Sequence, residues 1–281
     1  MRVGNLDGRL TLFVGDGAVD VANASGGRFG PDPQGAYAVW DELRDWAAGS
    51  ALEPQPYDPS LLGPPVPHPT QVFAIGLNYA AHAAESGSDV PTFPPTFTKF
   101  PTAITGPDAV VALPSGSVDW EVELVVVVAR RAYQVVAADA WSCIAGLMVG
   151  QDLSERVVQR RPPVPQFSLG KSFPGFAPIG PWVVTPDEFA DPDDLELGCT
   201  VNGEQVQLSR TSDLIFSVPA LVERLSGILP LLPGDIIYTG TPSGVGVGRT
   251  PPRFLQPGDE LVSTIEGIGS IRTHLVARPR A

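Results

Sequence analysis

The chain has 281 residues, of which 43% are hydrophobic and 17% charged. This composition can bury a sizeable core and excludes an intrinsically disordered chain. The formal net charge of −13 repels phosphate backbones and anionic membranes, so neither nucleic acid nor a lipid surface is expected as a partner.

No apolar run reaches the roughly 20 residues needed to span a bilayer. The opening MRVGNLDGRL has no apolar stretch of the signal-peptide kind. A cytoplasmic protein is therefore expected. Cys143 and Cys199 lie in apolar stretches and form no disulfide framework. The 30 glycines and 31 prolines favour many short strands joined by rigid turns over a helix bundle.

Residues 9–22 read as two short strands around the turn Gly15-Asp16-Gly17. Over Gln34–Ala48, Tyr37, Val39, Trp40, Leu43 and Trp46 recur at helical spacing. The proline-rich stretch Glu53–Pro69 should be extended and stiff. It divides a small N-terminal α+β unit, residues 1–68, from a second domain, residues 69–281. Beyond it strands dominate, at Gln71–Gly76, Val118–Ala129, Pro181–Thr185 and Leu195–Asn202. Ser217, followed by Pro219, can cap a helix running to about Ser226. Leu232-Pro233-Gly234-Asp235 and Gln256-Pro257-Gly258-Asp259 are echoing turns, each feeding a strand.

Asp119-Trp120-Glu121-Val122-Glu123-Leu124 is the most informative stretch. Side chains two apart on a strand share a face, which puts the Glu121 and Glu123 Cβ atoms roughly 6–7 Å apart. The valine run that follows turns this face inward, and two buried like charges need neutralising. A hard divalent cation does this and prefers carboxylate oxygens. The alternative is an exposed strand start bearing ordinary surface acids. Asp152 offers a third carboxylate, and three acids with a bidentate 2-oxo acid and a water fill an octahedral shell.

His82 and Glu85 lie three apart in an alanine-rich stretch that favours a helix. A carboxylate beside an imidazole orients the ring and raises its basicity, as a general base requires. A surface ion pair is the competing explanation. Arg156 and Gln159 follow Asp152 and share a face if the segment is helical. Arginine clamps carboxylates, and glutamine orients a carbonyl. Lys171 can stabilise an oxyanion, and Thr241 can present a hydroxyl to a carboxylate. Of 18 basic residues only Lys99 and Lys171 are lysines, and both fall beside these motifs. The glycines from Gly244 to Gly248 lack the G-K-[ST] and G-x-G-x-x-G patterns, so they read as a loop between strands and not as a nucleotide site.

Taken together, the Gly76–Glu85 stretch, D-W-E-V-E-L, Gln151–Gln159, Gly170-Lys171-Ser172-Phe173 and Leu232–Gly246 resemble the fumarylacetoacetate hydrolase family over residues 70–275. The resemblance implies an α+β, mainly β fold, a mixed β-sandwich roll, and a homodimer. It also implies Mg²⁺ or Mn²⁺ held by Glu121, Glu123 and Asp152. By position, His82 and Glu85 match a water-activating pair carried on a lid, and Lys171 the lysine near the metal. Arg156, Gln159 and Thr241 match substrate contacts. Asp119 matches no ligand, and Gln151 stands where the family often has asparagine. The implied activity is hydrolysis of a carbon–carbon bond in a 2,4-dioxo acid such as an acylpyruvate or fumarylpyruvate, through a metal-stabilised enolate. Decarboxylation of an oxaloacetate-type 2-oxo acid and isomerisation of a 2-hydroxy-dienedioate remain open on the same site. A non-catalytic metal- or ligand-binding module is the rival from another class.

Overall fold

The computed structural model describes residues 1–279. Two sheets carry the fold. The larger has 11 strands, and its path runs from the edge through Gly17–Asp20, Arg9–Val14, Arg2–Leu6, Ala177–Val184, Ile144–Gln151, Val122–Val128, Ile236–Tyr238, Val72–Ile75 and Thr96–Thr98. The second has five strands, ordered Glu204–Arg210, Glu196–Val201, Glu260–Ile265, Gly269–Ala277 and Asp108–Leu113. Ile144–Gln151 and Ala177–Val184 touch strands of the five-stranded sheet, and both sheets feed one continuous core. The fold is α+β, with short helices set around a mainly β frame.

Val122–Val128 sits near the centre of the large sheet, and all seven of its residues are buried. β-branched side chains suit this position because they pack against neighbours on both faces of the pleat. The strand pairs antiparallel with Ile144–Gln151, placing Val122 opposite Gln151. That register brings Glu121 and Asp152 together across the end of the pair, where the Asp152 N–H donates to the Glu121 carbonyl at 2.9 Å. The site below is built on this sheet end.

Most expected elements are present, with four differences. The stretch Val118–Ala129 is not one strand. Val118–Asp119 pairs with Ser154–Glu155, and Val122–Val128 pairs elsewhere, so the strand is interrupted at Trp120-Glu121. The helix expected at Gln34–Ala48 opens as a 3-10 turn, Gln34–Val39, and becomes α-helical only over Trp40–Gly49. Ser217 does sit at the cap of the Val218–Ser226 helix, but its side chain makes no capping hydrogen bond. An unexpected first strand, Arg2–Leu6, pairs with Ala177–Val184 and joins the N-terminal hairpin to the large sheet.

The two Pro-Gly-Asp turns share one device. The Leu232 N–H donates to Asp235 Oδ2 at 2.7 Å, and the Gln256 N–H donates to Asp259 Oδ2 at 2.8 Å. Each aspartate thus accepts from the amide three residues earlier and closes its own turn.

Candidate active site and metal centre

Glu121, Glu123 and Asp152 are all buried, and one carboxylate oxygen from each lies within 4.8 Å of the others. Cations surround two of the three. Lys171 Nζ is 2.6 Å from Glu121 Oε2 and 2.6 Å from Asp152 Oδ2. Lys99 Nζ is 2.5 Å from Asp152 Oδ1 and also donates to the Lys171 carbonyl. Arg156 Nη2 is 2.7 Å from Glu121 Oε1. Glu123 has no ion pair among the described residues and accepts the Gly240 N–H at 2.7 Å.

The electrostatics follow from this layout. Burial pushes Glu123 well above the ordinary carboxylate range, and the negative charges of Asp152 and Glu121 add to the shift. Burial acts the same way on Glu121, but Lys171 and Arg156 outweigh it and hold that group low. Burial lowers Lys99. For Lys171 burial is overcome by Asp152 and Glu121, and its value rises.

With Asp119, the cluster sets four carboxylates against the three cations Lys99, Lys171 and Arg156, so with Glu123 ionised it would carry one excess negative charge. Three converging hard oxygen donors, one without a counter-charge, fit a divalent cation of the Mg²⁺ or Mn²⁺ kind. Glu121, Glu123 and Asp152 would hold it.

The cluster opens into a cavity of about 380 Å³ whose lining includes His82, Gln159, Arg160, Lys171, Thr241 and Val247, a volume suited to a small molecule. His82 and Glu85 lie on the short helix Ala80–Glu85, with His82 Nδ1 3.3 Å from Glu85 Oε2. The Gly244 N–H in turn donates to both Glu85 oxygens, at 3.1 and 3.2 Å. Gly248 packs so closely on Glu85 that a Cβ there would lie 2.4 Å from Glu85 Cγ.

The Arg156–Gln159 segment is helical, and Arg156 Nη1 donates to Gln159 Oε1 at 2.9 Å. Nε and Nη2 of Arg156 go to Asp119 Oδ2 at 2.9 and 2.7 Å. With Glu121 also engaged, one Nη1 hydrogen is left for anything else. Because Gln159 accepts through Oε1, its amide NH₂ is left free to donate. The Thr241 hydroxyl donates to the Val122 carbonyl at 2.9 Å and accepts from Gln207 Nε2 at 2.8 Å. All nine residues singled out from the sequence therefore converge on one region: the carboxylate cluster, the cavity beside it, or, for Glu85, the partner of a cavity residue.

Four further residues support the site. Lys99 holds Asp152 and the backbone of Lys171. Its position beside a motif was the only sequence signal. Gln151 turns its side chain back, accepting the Glu121 N–H at 2.9 Å and donating to Ser263 Oγ at 2.9 Å. Gln207 accepts the Val122 N–H at 3.0 Å from 85 residues away, which no local pattern announces. Asp119 is fully buried against Arg156.

A mainly β fold with a buried three-carboxylate cluster suited to a divalent cation, and a histidine–glutamate pair beside a small-molecule cavity, defines an enzyme of small-molecule chemistry. The chain belongs to the fumarylacetoacetate (FAA) hydrolase family, whose C-terminal domain it matches over residues 71–276. It is similar to the mitochondrial oxaloacetate tautomerase FAHD2A of Bos taurus, 45% identical over 214 residues, 75% of this chain and 68% of the relative. Among solved structures it is similar to a candidate HpcE protein from Mycobacterium smegmatis, at 56% identity and a TM-score of 0.96 over 99% of this chain and 100% of that one. It is also similar to the maleylpyruvate hydrolase of Sphingobium sp. SYK-6 in complex with manganese (II) ion and pyruvate, at 28% identity and a TM-score of 0.80 over 99% and 100% of the two chains. The chain is thus an enzyme of this family, a carbon–carbon hydrolase or one of the related isomerases or decarboxylases. No helix among the described residues is long and apolar enough to cross a membrane.

Proposed function

We propose that the enzyme transfers a proton next to the ketone of a small 2-oxo diacid of the oxaloacetate type, interconverting keto and enol forms. A Mg²⁺ or Mn²⁺ ion bound by Glu121, Glu123 and Asp152 would supply Lewis-acid polarisation of the 2-oxo carboxylate. The observation that carries the proposal is His82, paired with Glu85, lining the same cavity as that cluster. With Nδ1–H directed at Glu85, the Nε2 lone pair of His82 is left to act as the base. Nε2 takes the proton from the carbon beside the ketone, Glu85 steadies the imidazolium, and the proton returns to carbon or oxygen. Lys171 faces the developing oxygen charge as a fixed cation.

The diacid preference rests on Arg160. It lines the cavity, is exposed, and makes no ion pair among the described residues, so it is free to meet a second carboxylate. The similarity to an oxaloacetate tautomerase supports the same substrate class.

The test follows the ultraviolet absorbance of enol oxaloacetate with enzyme and Mn²⁺ or Mg²⁺. Decay to the keto form well above the rate with metal alone is expected. No acceleration would overturn the reading. A second reading, hydrolysis of acylpyruvates with His82 activating water, is favoured by the similarity to a maleylpyruvate hydrolase. It requires release of pyruvate and a free acid from an acylpyruvate panel. The proposal also carries the expectations of a homodimer and of a cytoplasmic location, tested by light scattering and by cell fractionation.

A further inference from the structure

The geometry points to Asp119 as a positioning residue that fixes the arginine beside the metal cluster and the glycine loop beside the base, touching neither metal nor substrate itself. Its side chain is fully buried and accepts five N–H donors. Oδ1 takes the N–H groups of Trp120 at 2.9 Å and Gly246 at 2.6 Å. Oδ2 takes Arg156 Nε at 2.9 Å, Arg156 Nη2 at 2.7 Å and the Val247 N–H at 2.9 Å. One carboxylate therefore joins two parts of the site that are far apart in sequence.

On one side stands Arg156, whose Nη2 also reaches Glu121 Oε1 at 2.7 Å. Asp119 shares the charge of that guanidinium. Without it, Arg156 would press its whole charge on Glu121 and compete with a divalent ion for the same oxygen. On the other side lies the loop Gly244–Gly248, the same loop whose Gly244 N–H holds Glu85. The close approach of the loop to Asp119 requires glycine at 246, since a Cβ there would lie 1.9 Å from the Arg253 carbonyl and 2.7 Å from Asp119 Oδ1. The glycines that show no nucleotide-binding pattern in the sequence thus serve as a brace between the general-base pair and the carboxylate cluster.

Asp119→Asn tests this, because the amide keeps the shape but sets an NH₂ against N–H donors. Hydrogen exchange is followed over residues 244–248, and Mn²⁺ affinity is read from the resonance of free Mn²⁺. Native circular dichroism, faster exchange at Gly246 and Val247, and Mn²⁺ binding weakened about 10- to 100-fold are expected. In an Arg156→Met background the same change should add about twofold or less to the Mn²⁺ dissociation constant. Native exchange with native affinity would overturn the proposal, as would an undiminished effect in the Arg156→Met background. If Asp119→Asn does not fold, Arg156→Lys, which keeps the charge and loses the fork, should weaken Mn²⁺ comparably, and native affinity there would overturn it. These readouts involve no substrate, so the proposal stands or falls separately from the oxaloacetate reading.

Discussion

The Lys171 ammonium lies 2.6 Å from Asp152 Oδ2, and both groups are closed off from solvent. A lysine so placed compensates carboxylates that would otherwise be stranded in the core. Removing one member of a buried pair costs about 3–5 kcal/mol when the other is left unpaired; here Lys99 still reaches Asp152 and Arg156 still reaches Glu121. Lys171→Met should therefore lower the metal-free protein's stability measurably in urea unfolding, by less than that full amount. Saturating Mn²⁺ should restore part of the loss by binding the folded state alone. Unchanged unfolding midpoints would show that Lys171 does not offset these charges.

In the proposed mechanism the His82–Glu85 pair carries the proton-transfer step. His82→Ala should cut kcat on the preferred 2-oxo acid by about 10²- to 10⁴-fold. Glu85→Gln should cut it less, because the imidazole remains and only its orientation suffers. Both variants should bind Mn²⁺ normally. A His82→Ala enzyme with native kcat would remove the residue from the mechanism.

Gly248 offers a cleaner perturbation of the same pair. A Cβ there would meet Glu85 Cγ, Cδ and Oε1 at 2.4, 2.5 and 2.6 Å, and a side chain can move aside where backbone cannot. Gly248→Ala should keep a near-native melting temperature while lowering kcat about tenfold, within the range of lost acid–base assistance. A large drop in melting temperature, or unchanged kcat, would contradict this account of the contact.

Gln207 illustrates support from a distance. Its Nε2 donates to Thr241 Oγ1 and to the Pro242 carbonyl, both at 2.8 Å, while Oε1 accepts the Val122 N–H. Gln207→Leu removes all three bonds and leaves buried polar groups unpaired, a cost of about 1–3 kcal/mol for each group left unsatisfied. Chemical denaturation should show that loss together with a raised KM, since Thr241 lines the cavity. Equal stability and equal KM would be the contrary result.

What the sequence reveals and what it hides divides along physical lines. Glu121, Glu123 and the valine run were legible because a strand's two-residue period is local. His82 with Glu85, and Arg156 with Gln159, were legible because the helical repeat is local too. The family resemblance then supplied an order in which weak motifs became one site. The roles of Asp119, Gln151 and Gln207 are not legible because their partners are set by tertiary register. Asp119 reaches Gly246 across 127 residues, and no spacing rule encodes such a contact. The break at Trp120-Glu121 has no local signal for the same reason, since Val118–Asp119 finds its partner in Ser154–Glu155 and not in the central sheet. The strand Arg2–Leu6 is hidden in the sequence because its pairing partner lies near residue 184.

The most direct measurement is metal stoichiometry. Protein stripped with a chelator is titrated with Mn²⁺ beside the isosteric variant Glu123→Gln. One ion per chain is expected for the native protein, with restored activity, and neither tight binding nor turnover for the variant. Full Mn²⁺ binding and full activity in Glu123→Gln, or native turnover that survives the chelator, would contradict a cation held by Glu121, Glu123 and Asp152.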